Sequence, residues 1–266
     1  MKNIILAIVT LAFIACNNNE TTTPTNPSAV NNKEQELKKA IAKFPDSMLL
    51  KETLIQYYED NGNADLALAE MKNLLQKDSL NIKYWDKLAQ LYMYSKNDTA
   101  AAITCLEKAV DIFPEPEYII SLGVMYAYKK DAKALEVADA LLIGKKANAD
   151  KEALFIKGLY YSGVGDKTKA ISFFDNCIKL DYTYVSAYLE KGIILYNDKK
   201  YQQGLDVFTK AVTVQNAFDE GYYWMGKCFE KLNNTKDAIE SYKMALAYDP
   251  NYIEAKDALG KLGIRN

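Results

Sequence analysis

From Met48 onward, apolar residues recur at intervals of three and four over short stretches, and the stretches are broken by polar turns rich in Asn, Asp, Lys and Gly. That interval is the period of a helix. The stretches come in pairs, so the chain predicts successive helical hairpins. The pairs repeat: Gly158, Gly192, Gly226 and Gly260 stand 34 residues apart. Three residues beyond the first three come Tyr161, Leu195 and Phe229, and twelve beyond come Ala170, Gly204 and Ala238. Phe174, Phe208 and Tyr242 follow, then small Cys177, Ala211 and Ala245. A hairpin of two amphipathic helices cannot bury both its faces alone, so each must stack on its neighbours. The spacing predicts that Gly226 faces Ala238 and Ala245, letting two backbones approach, while Phe229 and Tyr242 fill the space where the helices splay.

These positions resemble the tetratricopeptide repeat, a helix-turn-helix unit of about 34 residues. The fullest copy is "EGYYWMGKCFEKLNNTKDAIESYKMALAYDPN", with Tyr222, Met225, Gly226, Phe229, Ala238, Tyr242, Ala245 and Pro250 in register. Six copies are expected near 48–81, 82–115, 116–150, 151–184, 185–218 and 219–252. The second has one extra residue in its internal turn and the third one fewer, and the first carries bulky Ile55 where a small residue is expected. Lys33–Lys43 looks like an unpaired second helix, and 253–263 like a lone first helix capping the array. The resemblance implies an all-α solenoid over 33–266, wound as a right-handed superhelix.

The start of the chain is different. Ile4–Ala15 is an apolar run of 12 residues after Lys2, too short for the roughly 20 a membrane span needs and suited to a signal peptide over 1–15. Ala15-Cys16 at its end resembles the lipobox of bacterial lipoproteins, which implies lipidation of Cys16. Phe13 departs from the usual leucine. Residues 16–32 are rich in Asn, Thr and Pro with one charge, Glu20, and are expected to be a flexible tether. Asn17 is not the aspartate of the known retention signal, which favours the outer membrane.

Composition removes several chemistries. There is no histidine, and 33 basic residues balance 35 acidic ones. His-based nucleophile pairs and zinc sites are therefore absent, and no basic face is indicated for nucleic acid. "SGVGDKTKA" (162–170) looks like a phosphate loop, but Asp166 stands where an anion would lie and a helical stretch precedes it, so no nucleotide is expected. It reads as the turn inside repeat four, with Asp166 or Thr168 opening a helix. Cys105, Cys177 and Cys228 fall in different repeats and read as buried thiols. Asp46-Ser47, Asp78-Ser79 and Asp98-Thr99 resemble O-glycosylated strings of some bacterial envelopes, although the same residues serve as helix caps. No catalytic residue, metal site or cofactor is indicated.

In the family, the first helices line a concave groove that holds ligands. Carried over, its middle comprises Ile120, Val124, Tyr128, Phe155, Leu159, Leu189, Ile193 and Tyr196. Glu52, Glu59 and Asp60 lie towards one end, Tyr223, Lys227 and Lys231 towards the other. An exposed apolar patch of this kind marks a protein or peptide site; tight stacking would instead make the same side chains extra core. The expectation is a non-enzymatic, lipid-anchored scaffold holding a protein partner in the bacterial envelope. A glycan- or nutrient-binding lipoprotein is the alternative, since 20 tyrosines offer stacking surfaces.

Overall fold

A computed structural model describes residues 27–143 and 149–264, with side chains from residue 32. The described residues form α1 (Pro27–Lys43), α2 (Met48–Asp60), α3 (Ala64–Lys77), α4 (Ile82–Gln90), α5 (Thr99–Ile112), α6 (Pro116–Tyr128) and α7 (Lys133–Ile143). They continue as α8 (Asp150–Gly163), α9 (Lys167–Leu180), α10 (Val185–Asn197), α11 (Tyr201–Val214), α12 (Asp219–Lys231), α13 (Thr235–Tyr248) and α14 (Ile253–Lys261). The fold is all-α and of the helical-solenoid class. Two compact units divide between Met125 and Tyr126, here called the N-terminal and C-terminal units. In the C-terminal unit α8 packs on α9, α10 on α11 and α12 on α13, and α9 and α11 contact the first helix of the next hairpin. In the N-terminal unit α1 packs on α2 and α3 on α4 in the same way.

The turn inside each hairpin is built to one plan. A residue with positive φ comes first: Gly62, Asn97, Lys130, Gly165, Lys199 and Asn233. The next residue donates its backbone N–H back into the first helix. Asn63 donates to Tyr58, Asp131 to Tyr126, Asp166 to Tyr161, Lys200 to Leu195 and Asn234 to Phe229, each five residues back. This bond satisfies a carbonyl that the helix end leaves open. The phosphate-loop look of "SGVGDKTKA" is thereby resolved. Gly165 takes φ 89°, and the Asp166 carboxylate caps α9 by accepting from Lys169 N at 3.1 Å. Asp98 and Asn234 cap α5 and α13 alike, and Ser47 caps α2.

Repeat two absorbs its extra residue in the helix. Leu91–Ser95 continues α4 as a π-helical turn, which widens the ladder by one residue. Asp98 then donates to Tyr92, six residues back, and the hairpin regains register. Repeat three loses its residue at the start of α7, where Ala134 and Leu135 donate to carbonyls only three back.

The register glycines work differently from the expectation. The nearest atoms to a Cβ built on Gly158 belong to the Phe174 ring, and Gly192 lies likewise under Phe208. On Gly226 the added carbon would stand 2.5 Å from Tyr242 Cε1. Each glycine therefore makes room for an aromatic ring of the second helix, and the alanines beside the rings are simply buried. Bulky Ile55 fits repeat one because Met71 takes the ring's place, both fully buried. No atom lies within 4 Å of a Cβ on Gly260, so that glycine keeps the register without the packing.

One boundary moves. α1 begins at Pro27, so 27–32 of the expected tether is helical. Proline suits a first helical position, where its missing N–H has no partner to lose. Farther along, Tyr58 Oη donates to Glu34 Oε1 at 2.9 Å and ties α1 to α2. α14 packs on α13 with Leu259 fully buried. The signal-peptide assignment and Cys16 lie outside the described residues.

Candidate functional site

The first helices of the C-terminal unit place most of the expected groove residues inside. Phe155 is fully buried, with its ring 5.7 Å from Phe174 and 5.2 Å from Tyr184. Leu159 is buried, and Leu189 and Ile193 belong to the cluster around Phe208 and Phe218. Tyr128 and Tyr196 remain partly exposed. In the N-terminal unit Val124 is buried and Ile120 partly exposed. A side chain on the first-helix face is thus also a side chain between hairpins, and its apolar body goes to the core wherever the next hairpin covers it.

What stays accessible on the C-terminal unit's first-helix face is aromatic and charged. Tyr196 meets Trp224 edge-on at 5.2 Å, and Trp224 meets Tyr223 edge-on at 5.8 Å. Tyr223 lies 5.1 Å from Tyr252. Lys227 Nζ sits over the Tyr196 ring at 5.9 Å. All four rings are half-buried rather than enclosed. Tyr242, beside Tyr223, is fully buried and donates to Glu230 Oε1 at 2.5 Å, so it belongs to the core.

Two carboxylates on this unit were not legible as special. Glu190, between Leu189 and Lys191 on α10, is only 9% exposed. Burial and then the negative charge of Glu220 push its pKa up to about 7, against the Tyr128 hydroxyl, whose hydrogen bond favours the charged form. Burial and Asp219 push Glu220 up to about 7 as well. Both groups are therefore poised near neutrality, where a small change of surroundings alters their charge.

The N-terminal unit presents a polar face instead. Lys87 Nζ pairs with Glu59 at 2.6 Å, Gln90 donates to Asp86 at 2.8 Å, and Tyr84 Oη donates to Glu52 at 3.3 Å. Burial and Glu117 raise Asp86 to about 6. Elsewhere in this unit an open groove of about 610 Å³ is lined by Lys72, Trp85, Leu88, Tyr92 and Cys105. Its only cation, Lys72, lies over the Tyr92 ring at 5.5 Å. The thiols are inert packing: burial lifts Cys105 to about 11 and Cys177 and Cys228 to about 12. Among the described residues no group of His, Cys, Asp and Glu is arranged to hold a metal. No helix among them is long and apolar enough to cross a membrane.

Stacked two-helix units with this turn and this glycine–aromatic packing define a helical-repeat protein. Residues 82–116, 151–184 and 220–252 match models of the tetratricopeptide repeat, and these segments are tetratricopeptide repeats. A crystallised tetratricopeptide repeat protein from Parabacteroides merdae has the same fold, with 19% identity, a TM-score of 0.67, and 88% of this chain and 92% of that one covered. PilW, described as a type IV pilus biogenesis factor, aligns with 19% identity and a TM-score of 0.57 over 79% of this chain and 97% of its own. Among curated proteins, the peroxisomal targeting signal receptor of Candida albicans is 20% identical over 220 residues, 77% of this chain and 36% of that protein. A TPR repeat-containing protein of Methanocaldococcus jannaschii is 25% identical over 210 residues, 73% of this chain and 35% of that protein. The chain thus spans only about a third of the length of these two relatives. Proteins built of this repeat generally mediate protein–protein interactions, and the fold typically serves as a non-enzymatic scaffold.

Proposed function

We propose that this protein is a lipid-anchored scaffold that holds a protein partner at a bacterial envelope membrane, with the outer membrane as its location. The anchor reading rests on the apolar run Ile4–Ala15 and the junction Ala15-Cys16. Several acyl chains on Cys16 would hold the protein stably, where a single chain binds only marginally. Replacing Cys16 with Ser is expected to abolish fatty-acid labelling of the protein in cells, and label persisting in that variant contradicts the anchor.

The partner-binding reading rests on one observation: four half-buried rings, Tyr196, Tyr223, Trp224 and Tyr252, sit together on the first-helix face of the C-terminal unit. Aromatic anchors surrounded by polar groups are what binding hot spots are made of. The site residues proposed for contact are therefore Tyr196, with Tyr223, Trp224 and Lys227 beside it, and Tyr128 as a further position on the same unit. Phe155, Leu159, Leu189 and Ile193 are buried in the core of the same unit, and Val124 in that of the N-terminal unit. Leu159→Glu would consequently test folding rather than contact. Tyr223→Ala is the sharper probe. It is expected to weaken partner capture at least tenfold, since a hot-spot aromatic contributes about 2 kcal/mol or more, while the helical circular dichroism spectrum is retained. Undiminished capture by the folded variant rules this face out.

A further inference from the structure

The start of the first helix and the end of the second occupy corresponding positions from repeat to repeat, and the residues there follow a rule. The residue four places before the register position held by Ile55, Ala89, Gly158, Gly192 or Gly226 stands in register with the last residue of the second helix. In repeats two, four, five and six these pairs are Trp85 with Ile112, Leu154 with Leu180, Tyr188 with Val214, and Tyr222 with Tyr248. That the two positions touch is seen in repeat six, where the rings of Tyr222 and Tyr248 stack with centroids 5.6 Å apart. In repeat one the same two positions are Lys51 and Lys77.

A place that elsewhere holds an apolar pair here holds two cations. Lys51 is 9% exposed, and its ammonium is buried with no hydrogen-bond partner. Its strongest neighbour is the Lys77 ammonium, and together with burial this lowers its pKa; Asp46 and Glu70 act in the opposite sense as weaker, unbonded charges. Burying an unpaired ammonium against a second one is unfavourable on both counts. An anion between the two would remove both penalties.

We propose that Lys51 and Lys77 form a binding site for a carboxylate, supplied by an acidic segment of a protein partner. Lys77 is exposed and open to the ligand, and Lys51 receives it below. Charge selects a carboxylate over a phosphate dianion. The two lysines are already balanced by two acids, Asp46 and Glu70, so a carboxylate adds one negative charge to the group where a phosphate dianion adds two. The site lies on α2 and α3 and does not depend on the aromatic face of the C-terminal unit.

The test uses the full chain and a fluorescein-labelled acidic peptide of alternating Asp and Gly, read by anisotropy. Lys51→Leu with Lys77→Leu restores the pair found in repeat four, so the variant is expected to fold at least as stably as the parent. It should bind the peptide at least tenfold more weakly. Lys210→Met, an exposed lysine of α11, should leave affinity within twofold. Acetate should displace the peptide at lower concentration than inorganic phosphate. Equal affinity of the double variant and the parent overturns the site, and stronger displacement by phosphate overturns the choice of ligand.

Discussion

A methyl group added at Gly226 would press into the ring of Tyr242, which has no room to retreat because it is fully buried and its hydroxyl is bonded to Glu230. Gly226→Ala is expected to destabilise the fold by about 1–3 kcal/mol, the usual cost of overpacking, measured by urea unfolding. Lys199 poses the opposite case. It holds φ 62°, which costs a residue with a Cβ about 1 kcal/mol. Lys199→Gly should therefore stabilise by up to about 1 kcal/mol despite glycine's greater freedom when unfolded. Glu190 ties stability to pH. Its pKa is raised in the folded state from 4.5 to about 7, so its contribution is fully present below about pH 4.5 and is lost as pH rises through 7. Glu190→Gln should leave the melting temperature nearly unchanged at pH 5 and raise it at pH 8, by a free energy on the order of 1–3 kcal/mol. Neither the buried glutamate nor the paired lysines stand out by residue type. Lys51 becomes visible only when its register partners in other hairpins are known to be apolar and in contact.

The helices were largely legible in the sequence, because a 34-residue period fixes where each begins and ends far better than propensity does. Helices alternate from α2 to α13 between Met48 and Tyr248, apart from the undescribed residues 144–148. Even the irregular copies were marked by their counts of turn residues. What counting does not reveal is where an insertion is absorbed. In repeat two it enters α4 as the π-helical turn Leu91–Ser95, while the turn itself keeps its left-handed residue and cap. Deleting exposed Ser95 should close that turn to the common five-residue bond and keep the protein folded, with stability changed by less than about 1 kcal/mol. A loss of several kcal/mol would mean that the widened turn is needed by the packing around Tyr92. The helical start at Pro27 was hidden for another reason. Asn-rich composition reads as tether, whereas α1 as a whole packs on α2, with Glu34 bonded to Tyr58.

At the scale of the molecule, the groove transferred by family register includes side chains that the structure buries. Register tells which side of a helix a residue occupies. It does not tell how much of that side the next hairpin covers, and so Phe155, Leu159, Leu189 and Ile193 became core while Tyr196 and Tyr223 kept exposed ring area. The account's central claim is that a protein partner is held on this aromatic face. The most direct measurement is site-specific photocrosslinking in cells, with the photoreactive residue placed in turn at Tyr196 and Tyr223 and, for comparison, at exposed Lys210 and Lys243 on the second helices. The account predicts one common partner adduct from the first two positions and none from the others. A partner crosslinked from Lys210 and Lys243 but not from Tyr196 or Tyr223 would contradict it.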